Sequence, residues 1–322
     1  MKYKALFLRD LHESGKKLLQ EHDCEVVIAR SLKLEEYRDQ LETCDAIFVR
    51  NEPVTAEMMN LAPELKVIAK HGVGYDNIDV AYATKKGIQV VYAPTGNINS
   101  VAEMAMLHIL SCARRLRHSQ EKFIKGNYNV RFQMNDTHEI EGKTLALIGC
   151  GNIARLVAKK AVYGFGMRVI GYDPFVKKKQ LECGIEMVED RDQVFAEADF
   201  VSIHLPSLPD TIHSIGKREF QLMKPTAYLI NTARGNLICE EELVEALKAG
   251  EIAGAGLDVY EEEPPAADNP LLFMDQVNVT PHCGGLTVEA SERLSYTGAK
   301  GILEVLYHEP LTWPVNKVRD DG

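Results

Sequence analysis

Two kinds of hydrophobic pattern alternate along the chain. Short apolar runs, "KALFLR" (4–9), "CEVVIAR" (24–30), "AIFVRN" (46–51), "LKVIAKHG" (65–72) and "GIQVVYAP" (87–94), have too few polar positions for a one-sided sheet. They read as strands buried on both faces. Between them, apolar residues recur at helical spacing near 11–20, 34–41 and 56–61. This alternation predicts βαβ units and a parallel sheet covered on both sides. The first ~95 residues therefore form one compact α/β unit.

The next segment, "NSVAEMAMLHILSCARRL" (99–116), is apolar on nearly every face over 101–110, which predicts a long helix buried between layers or domains. Ser100 followed by Glu103 fits a capping box at its start. A polar stretch at 127–142 reads as a loop. A second strand series then begins at "TLALIGC" and continues through "MRVIGYD", "GIEMV", "FVSIHLP", "AYLINTA", "IAGAGLDV" and "VNVTPH". A last helical pattern covers 288–308. The expected architecture is α/β, with two Rossmann-like or flavodoxin-like doubly wound parallel-sheet domains and a cleft between them. One domain is discontinuous, 1–99 with 290–322, and the other is inserted at 100–289.

The turn after the first strand of the second series carries chemistry. "LALIGCGNIA" places Gly149, Gly151 and Ala154 in a G-x-G-x-x-A pattern between strand and helix. The first glycine permits a tight turn, the second lets backbone approach a pyrophosphate, and the third small residue allows close helix–strand packing. The next strand ends at Asp173, 173 − 151 = 22 residues beyond Gly151. A carboxylate there suits a ribose diol and repels a 2′-phosphate, so the expected cofactor is NAD. Asp173 also fits a simple cap before Pro174, but strand, turn, helix and acid in register favour the cofactor. The lysine run at 177–179 reads as a solvated helix face.

Ligands of open parallel sheets bind outside the carboxyl ends of the strands. Those ends carry the glycine turn, Asp173, His204-Leu205-Pro206, Asn231 to Gly235, Asp258 to Glu263, and His282 in "TPHCGG" (280–285). Leu205, Pro206, Thr232, Ala233 and Gly284 are thereby further candidate cofactor contacts. An arginine, a glutamate and a histidine thus converge on one edge. Histidine is well matched to protonating an alkoxide near neutral pH, a carboxylate beside it favours imidazolium, and arginine forks onto a carboxylate or carbonyl. Singly, Arg234 also fits a surface ion pair, Glu263 a solvated charge and His282 a satisfied core residue. At successive strand ends the joint catalytic reading prevails.

With these residues the chain resembles the D-isomer-specific 2-hydroxyacid dehydrogenases, most nearly the bacterial D-3-phosphoglycerate dehydrogenase type. The likeness spans roughly 45–315 and rests on "KHGVGYDNID", "GCGNIA", "YDP", "HLPSLPDT", "NTARG", "LDVYEEEPP" and "TPHCGG". It implies that Arg234 orients substrate, that His282 is the general acid/base, and that Glu263, singled out by Pro264, pairs with it. It further implies a substrate-carboxylate nest at Val73 and Gly74, with Arg50 and Lys70 as charge partners. Asn152 and Ile153 would contact the pyrophosphate and Asp258 the nicotinamide amide. A homodimer is expected on the same ground. Ala154 replaces the usual third glycine, and the end soon after "TWPVN" suggests no regulatory domain.

Composition narrows the alternatives. The 322 residues carry 37 Lys and Arg against 47 Asp and Glu, a net charge of −10. That balance disfavours nucleic acid, which needs a basic face. The N-terminal apolar run is too short for a signal peptide, no stretch is long enough to span a membrane, and seven cysteines show no CxxC pair. The expectation is a cytoplasmic, metal-free enzyme with reduced thiols. Its reading is an NAD-dependent D-2-hydroxyacid dehydrogenase acting on a 3-phosphoglycerate-type substrate. The alternatives are a glyoxylate/hydroxypyruvate or D-lactate reductase, an NAD(H)-sensing corepressor-like protein and, more remotely, a methyltransferase.

Overall fold

The computed structural model describes residues 2–318, and these form two compact units. The first runs to Asn97 and resumes at Gly285; the second is Ile98–Gly284. Ile98 already starts a helix of the second unit, while Gly285 packs on Asn97, where an added Cβ would lie 2.8 Å from Asn97 Nδ2.

The first unit holds strands β1 (Tyr3–Phe7), β2 (Cys24–Ile28), β3 (Ala46–Val49), β4 (Val67–Lys70) and β5 (Gln89–Tyr92). They pair parallel in the order β2-β1-β3-β4-β5, the flavodoxin-like arrangement. Successive residues of β3 face opposite cores. Ile47 and Val49 pack with Leu41, Met58 and Met59, whereas Ala46 and Phe48 pack with Leu19, Ile302 and Leu306. This is why the strand reads as a continuous apolar run. Helices α1 (Glu13–Glu21), α2 (Arg38–Leu41), α3 (Ala56–Asn60) and α4 (Val80–Lys85) lie between the strands, and the helix Val288–Leu306 returns to α1's side of the sheet. The pattern over 34–41 does not make one helix. Leu34–Glu36 is a 3₁₀ turn, and α2 starts only after Tyr37.

The second unit begins with α5 (Ile98–Ala113) and α6 (Leu116–Ile124), then alternates β6 (Thr144–Ile148), α7 (Asn152–Phe165), β7 (Arg168–Tyr172), β8 (Ile185–Met187), α8 (Arg191–Glu197), β9 (Phe200–Ile203), α9 (Lys217–Leu222), β10 (Tyr228–Asn231), α10 (Glu240–Ala249), β11 (Gly254–Leu257) and β12 (Val277–Val279). The sheet order is β12-β11-β10-β9-β6-β7-β8, all parallel, and it reverses direction between β6 and β9. Helices α5 and α7 cover one face through Ala105, Ile109, Val157 and Ala161; α8, α9 and α10 cover the other through Phe195, Phe220 and Leu243.

Two local expectations give way here. Ser100 is the third residue of α5 rather than its cap. Glu103 instead accepts from Asn99 Nδ2 at 2.8 Å and faces Lys160 at 3.3 Å. The lysines at 177–179 are exposed but lie outside any helix. Among the described residues, no helix is long and apolar enough to cross a membrane.

The contact of α1 with the long helix is tight at Gly15, where a Cβ would lie 2.6 Å from the carbonyl oxygen of Ser295. Gly to Ala in an open helix stabilises by roughly 1 kcal/mol. Here backbone must move, so we expect Gly15→Ala to destabilise by about 1–3 kcal/mol in urea unfolding. A gain in stability would show that the helices are not held at this distance.

Candidate active site

The glycine turn lies at the switch point of the second sheet, where ligands of this fold class bind. Gly149 has φ +86°, and a Cβ on it would meet His204 O at 2.8 Å, so both conformation and space exclude a side chain. At Gly151, which caps α7, an added Cβ meets nothing within 4 Å, and no side chain caps the helix. The first-turn donors at Asn152 and Ile153 are therefore left for an anion. Ala154 is fully buried against the sheet, as the third position requires. Half-buried Leu205 leans on Gly149, and Pro206 beside it is exposed.

Asp173 follows β7 directly. Its Oδ2 accepts from Cys150 N and its Oδ1 from Phe175 N, both at 2.9 Å. The carboxylate thus does the local capping that was the plainer alternative. Each oxygen retains a lone pair, so a ribose diol still finds an acceptor on it.

The "TPHCGG" turn is organised by Asp258, 2% exposed at the end of β11. Its Oδ1 accepts from Thr280 Oγ1 at 2.6 Å and from Cys283 N at 2.9 Å; Oδ2 accepts from Gly284 N at 2.8 Å. His282 N donates to Asp258 O at 2.7 Å, which holds His282 at φ +51°, an uncommon conformation for a residue with a Cβ. Gly284 therefore serves the carboxylate. Its N–H is not open to a cofactor, and a Cβ there would press on Asp258 Oδ2 at 2.8 Å. Behind the turn, His108 Nε2 lies 3.1 Å from Thr280 Oγ1. Burial pushes His108 down to about 4, against the pull of Asp258, so the ring is neutral. Because Thr280 gives its hydroxyl proton to Asp258, His108 must donate to Thr280. Sequence reasoning missed this residue; its one signal was a histidine inside an apolar helix.

The turn delivers the imidazole to an acid. His282 Nδ1 is 2.7 Å from Glu263 Oε2, with both side chains about one-third exposed, 33% and 34%. Glu263 Oε1 accepts from Tyr260 N at 3.2 Å. Burial raises the Glu263 carboxyl, but the bond and charge of His282, the Tyr260 N–H and the Arg234 charge outweigh it, and its pKa is lowered. Arg234 leaves the end of β10 in extended conformation, its Nη1 on Ala233 O at 2.7 Å. Fully buried Asn231 shapes that turn by accepting from Ala233 N at 3.0 Å and donating to Arg234 O at 2.8 Å. Among the described residues, Thr232 Oγ1 is buried with no hydrogen-bond partner, a polar atom that a bound ligand would satisfy.

The other predicted residues lie in the first unit. Arg50 follows β3 and Lys70 ends β4. Lys70 is 5% exposed and its ammonium donates to Arg50 O and, at 2.7 Å, to Asn77 Oδ1. Val73 and Gly74, half-buried, occupy the loop beyond β4. Among the described residues, no cluster of His, Cys, Asp and Glu is placed to hold a metal.

The family model described as D-isomer specific 2-hydroxyacid dehydrogenase, NAD binding domain, matches residues 106–284. The chain belongs to the D-isomer specific 2-hydroxyacid dehydrogenases. A D-3-phosphoglycerate dehydrogenase of Methanocaldococcus jannaschii is 43% identical over 95% of this chain, which spans 58% of that relative's length. A glyoxylate reductase of Korarchaeum cryptofilum is 35% identical over 94% of this chain and 92% of its own. Among solved structures, the holo form of Rhodotorula graminis D-mandelate dehydrogenase aligns with TM-score 0.88 and 28% identity, covering 98% of each chain. NAD is the cofactor of the matched domain in this family. The open space at Gly151, the uncapped α7 and the orphaned Thr232 hydroxyl fit it.

Asp173→Ala removes the acceptor at the end of β7. We expect calorimetry to show weaker NAD binding and a smaller preference for NAD over NADP, since the carboxylate also repels a 2′-phosphate. Unchanged affinity for both cofactors would reduce Asp173 to the turn cap seen in its bonds to Cys150 and Phe175.

Proposed function

We propose that this dehydrogenase interconverts a D-2-hydroxy acid and its 2-oxo acid, and that Arg234, Glu263 and His282 carry the reaction. The contact between His282 Nδ1 and Glu263 Oε2 supports this most directly. Bound NAD supplies hydride transfer at C2. Nδ1 is committed to Glu263, so Nε2 of His282 gives the proton to the oxygen during reduction and takes it during oxidation. Glu263, its pKa lowered, accepts at Nδ1 and fixes the orientation of the ring. Arg234 holds the 2-oxo acid through its planar fork. Val73 and Gly74 receive the substrate carboxylate, Asn152 and Ile153 the pyrophosphate, Asp173 the ribose diol. Asp258 takes the nicotinamide amide, and Leu205, Pro206, Thr232 and Ala233 complete the cofactor contacts.

For the substrate we propose a 3-phosphoglycerate-type acid, supported by the cations Arg50 and Lys70 on neighbouring strand ends and by the likeness to D-3-phosphoglycerate dehydrogenases. A second reading, hydroxypyruvate or glyoxylate reduction, is favoured by one observation. The Lys70 ammonium already serves Arg50 O and Asn77 Oδ1, which leaves it less able to hold a phosphate. We further propose a cytoplasmic homodimer. Leu107, Phe123, Ile124, Tyr128 and Phe132, half or more exposed in the second unit, give a second copy an apolar surface.

Arg234→Lys keeps charge and loses the fork. The expected result is a fall in kcat/KM of about a hundredfold or more with NADH binding little changed. A lysine variant near full activity would make Arg234 a structural residue, and a parent that binds NADH without turning over any 2-oxo acid would favour a sensor.

Glu263→Gln removes the carboxylate that accepts from His282 Nδ1. The ring then loses the acceptor that orients it, so kcat/KM for 2-oxo acid reduction should fall roughly tenfold or more with NADH binding little changed. His282→Ala lowers kcat by roughly a hundredfold or more. A Gln variant that keeps the parent's kcat/KM removes Glu263 from the mechanism.

A further inference from the structure

The acidic run Glu261-Glu262-Glu263 contains a second histidine pair besides the one already assigned. His213 Nε2 lies 2.6 Å from Glu261 Oε1, two residues before the acid that meets His282. The two histidines also share a backbone state. His213 has φ +50° and His282 φ +51°, and few residues with a side chain adopt that region. Side-chain exposures of 47% and 38% would normally mark His213 and Glu261 as a weak surface pair. The surrounding backbone argues otherwise.

His213 N donates to Asn236 O at 2.8 Å, and Ile215 N to Leu237 O at 3.1 Å, which fastens the His213 loop to the segment that follows Arg234. Glu261 is fastened in turn, its N–H donating to Glu240 Oε1 at 2.6 Å. Between the two, Gly235 lies directly against the backbone of Tyr260, where no Cβ has room. His213 therefore joins two loops at once. Its backbone grips the one that carries Arg234, and its ring grips the one that carries Glu263. Both loops lie beyond the main sheet, because β10 ends at Asn231 and β11 at Leu257, and the first is held by an isolated bridge between Ile215 and Ile238.

We propose that His213 is a positioning residue that sets Glu263 against His282 by tying Glu261 to the Arg234 segment. The proposal rests on the catalytic reading given above. It adds that the first acid of the run is the anchor that makes the third one effective. The ring donates Nε2–H to the Glu261 carboxylate, a charge-assisted bond. Losing it frees the 260–263 segment, and the Glu263–His282 contact loosens with it.

The test compares His213→Ala, His213→Gln, Glu261→Ala and the double alanine variant, with folding checked by circular dichroism and thermal unfolding. The first readout is the Glu263 side-chain carboxyl, followed by NMR titration of isotope-labelled protein without substrate. The His282 bond is the largest of the contacts that together outweigh burial at this carboxyl, so its titration should move to higher pH in His213→Ala and in Glu261→Ala. His213→Gln retains an N–H donor and should stay near the parent. The second readout is kcat/KM for 2-oxo acid reduction, expected to fall roughly ten- to hundredfold in the alanine variants with NADH affinity unchanged. The double variant should be no worse than either single one. An unmoved carboxyl titration in His213→Ala, a Gln variant as impaired as the Ala variant, or additive losses in the double variant would each overturn the proposal. The titration needs no turnover. A parent inactive on 2-oxo acids would sink the proposed reaction yet leave the His213 coupling to be decided by NMR alone.

Discussion

A carboxylate buried at the end of β11 holds the candidate site together. Asp258 is removed from water, and a buried charge is tolerated only where hydrogen bonds replace hydration. Its donors include the Thr280 hydroxyl, the N–H groups of Cys283 and Gly284 and the Cys283 thiol, all in the turn after β12. Those bonds curl the chain so tightly that His282 enters the left-handed region, with its own N–H returned to Asp258 O. The imidazole therefore points where the turn sends it, toward Glu263. His108, buried and neutral behind Thr280, completes a chain of donors that ends on the same carboxylate.

The parallel sheet does the longer-range assembly. Arg234, Glu263 and His282 follow three strands, β10, β11 and β12, that are consecutive in the sheet. Parallel strands bring their carboxyl ends to one edge, so residues 29 and 19 apart in sequence meet there (263 − 234 and 282 − 263). The same edge carries the glycine turn after β6 and Asp173 after β7. Small residues make the approach possible. Gly256 in β11 leaves room for His108, whose Cβ would lie 2.7 Å from a side chain at that position.

Much of this was legible beforehand because it depends on periodicity and on single backbone demands. Continuous apolar runs announced strands buried on both faces, and β3 shows why, with Ile47 and Phe48 in opposite cores. Gly149 was readable because a positive φ leaves few residues to choose from. Helix starts were less readable. Ser100 and Glu103 have the composition of a capping box, but the chain turns into α5 at Ile98, and Asn99 takes Glu103 instead.

The sequence by itself determined the two α/β units, the dinucleotide turn and the residue types at the strand ends, since each follows from local pattern or from a backbone conformation few residues tolerate. Which partner each polar side chain takes was decided by tertiary structure. Pro264 singles out Glu263 among three adjacent glutamates, but nothing along the chain sends Glu261 to His213. Gly284 serves Asp258, and Lys70 is taken up by Arg50 O and Asn77. Hydrogen bonds are short and directional, and their partners here are up to 48 residues away. Only the packed sheet brings them within reach.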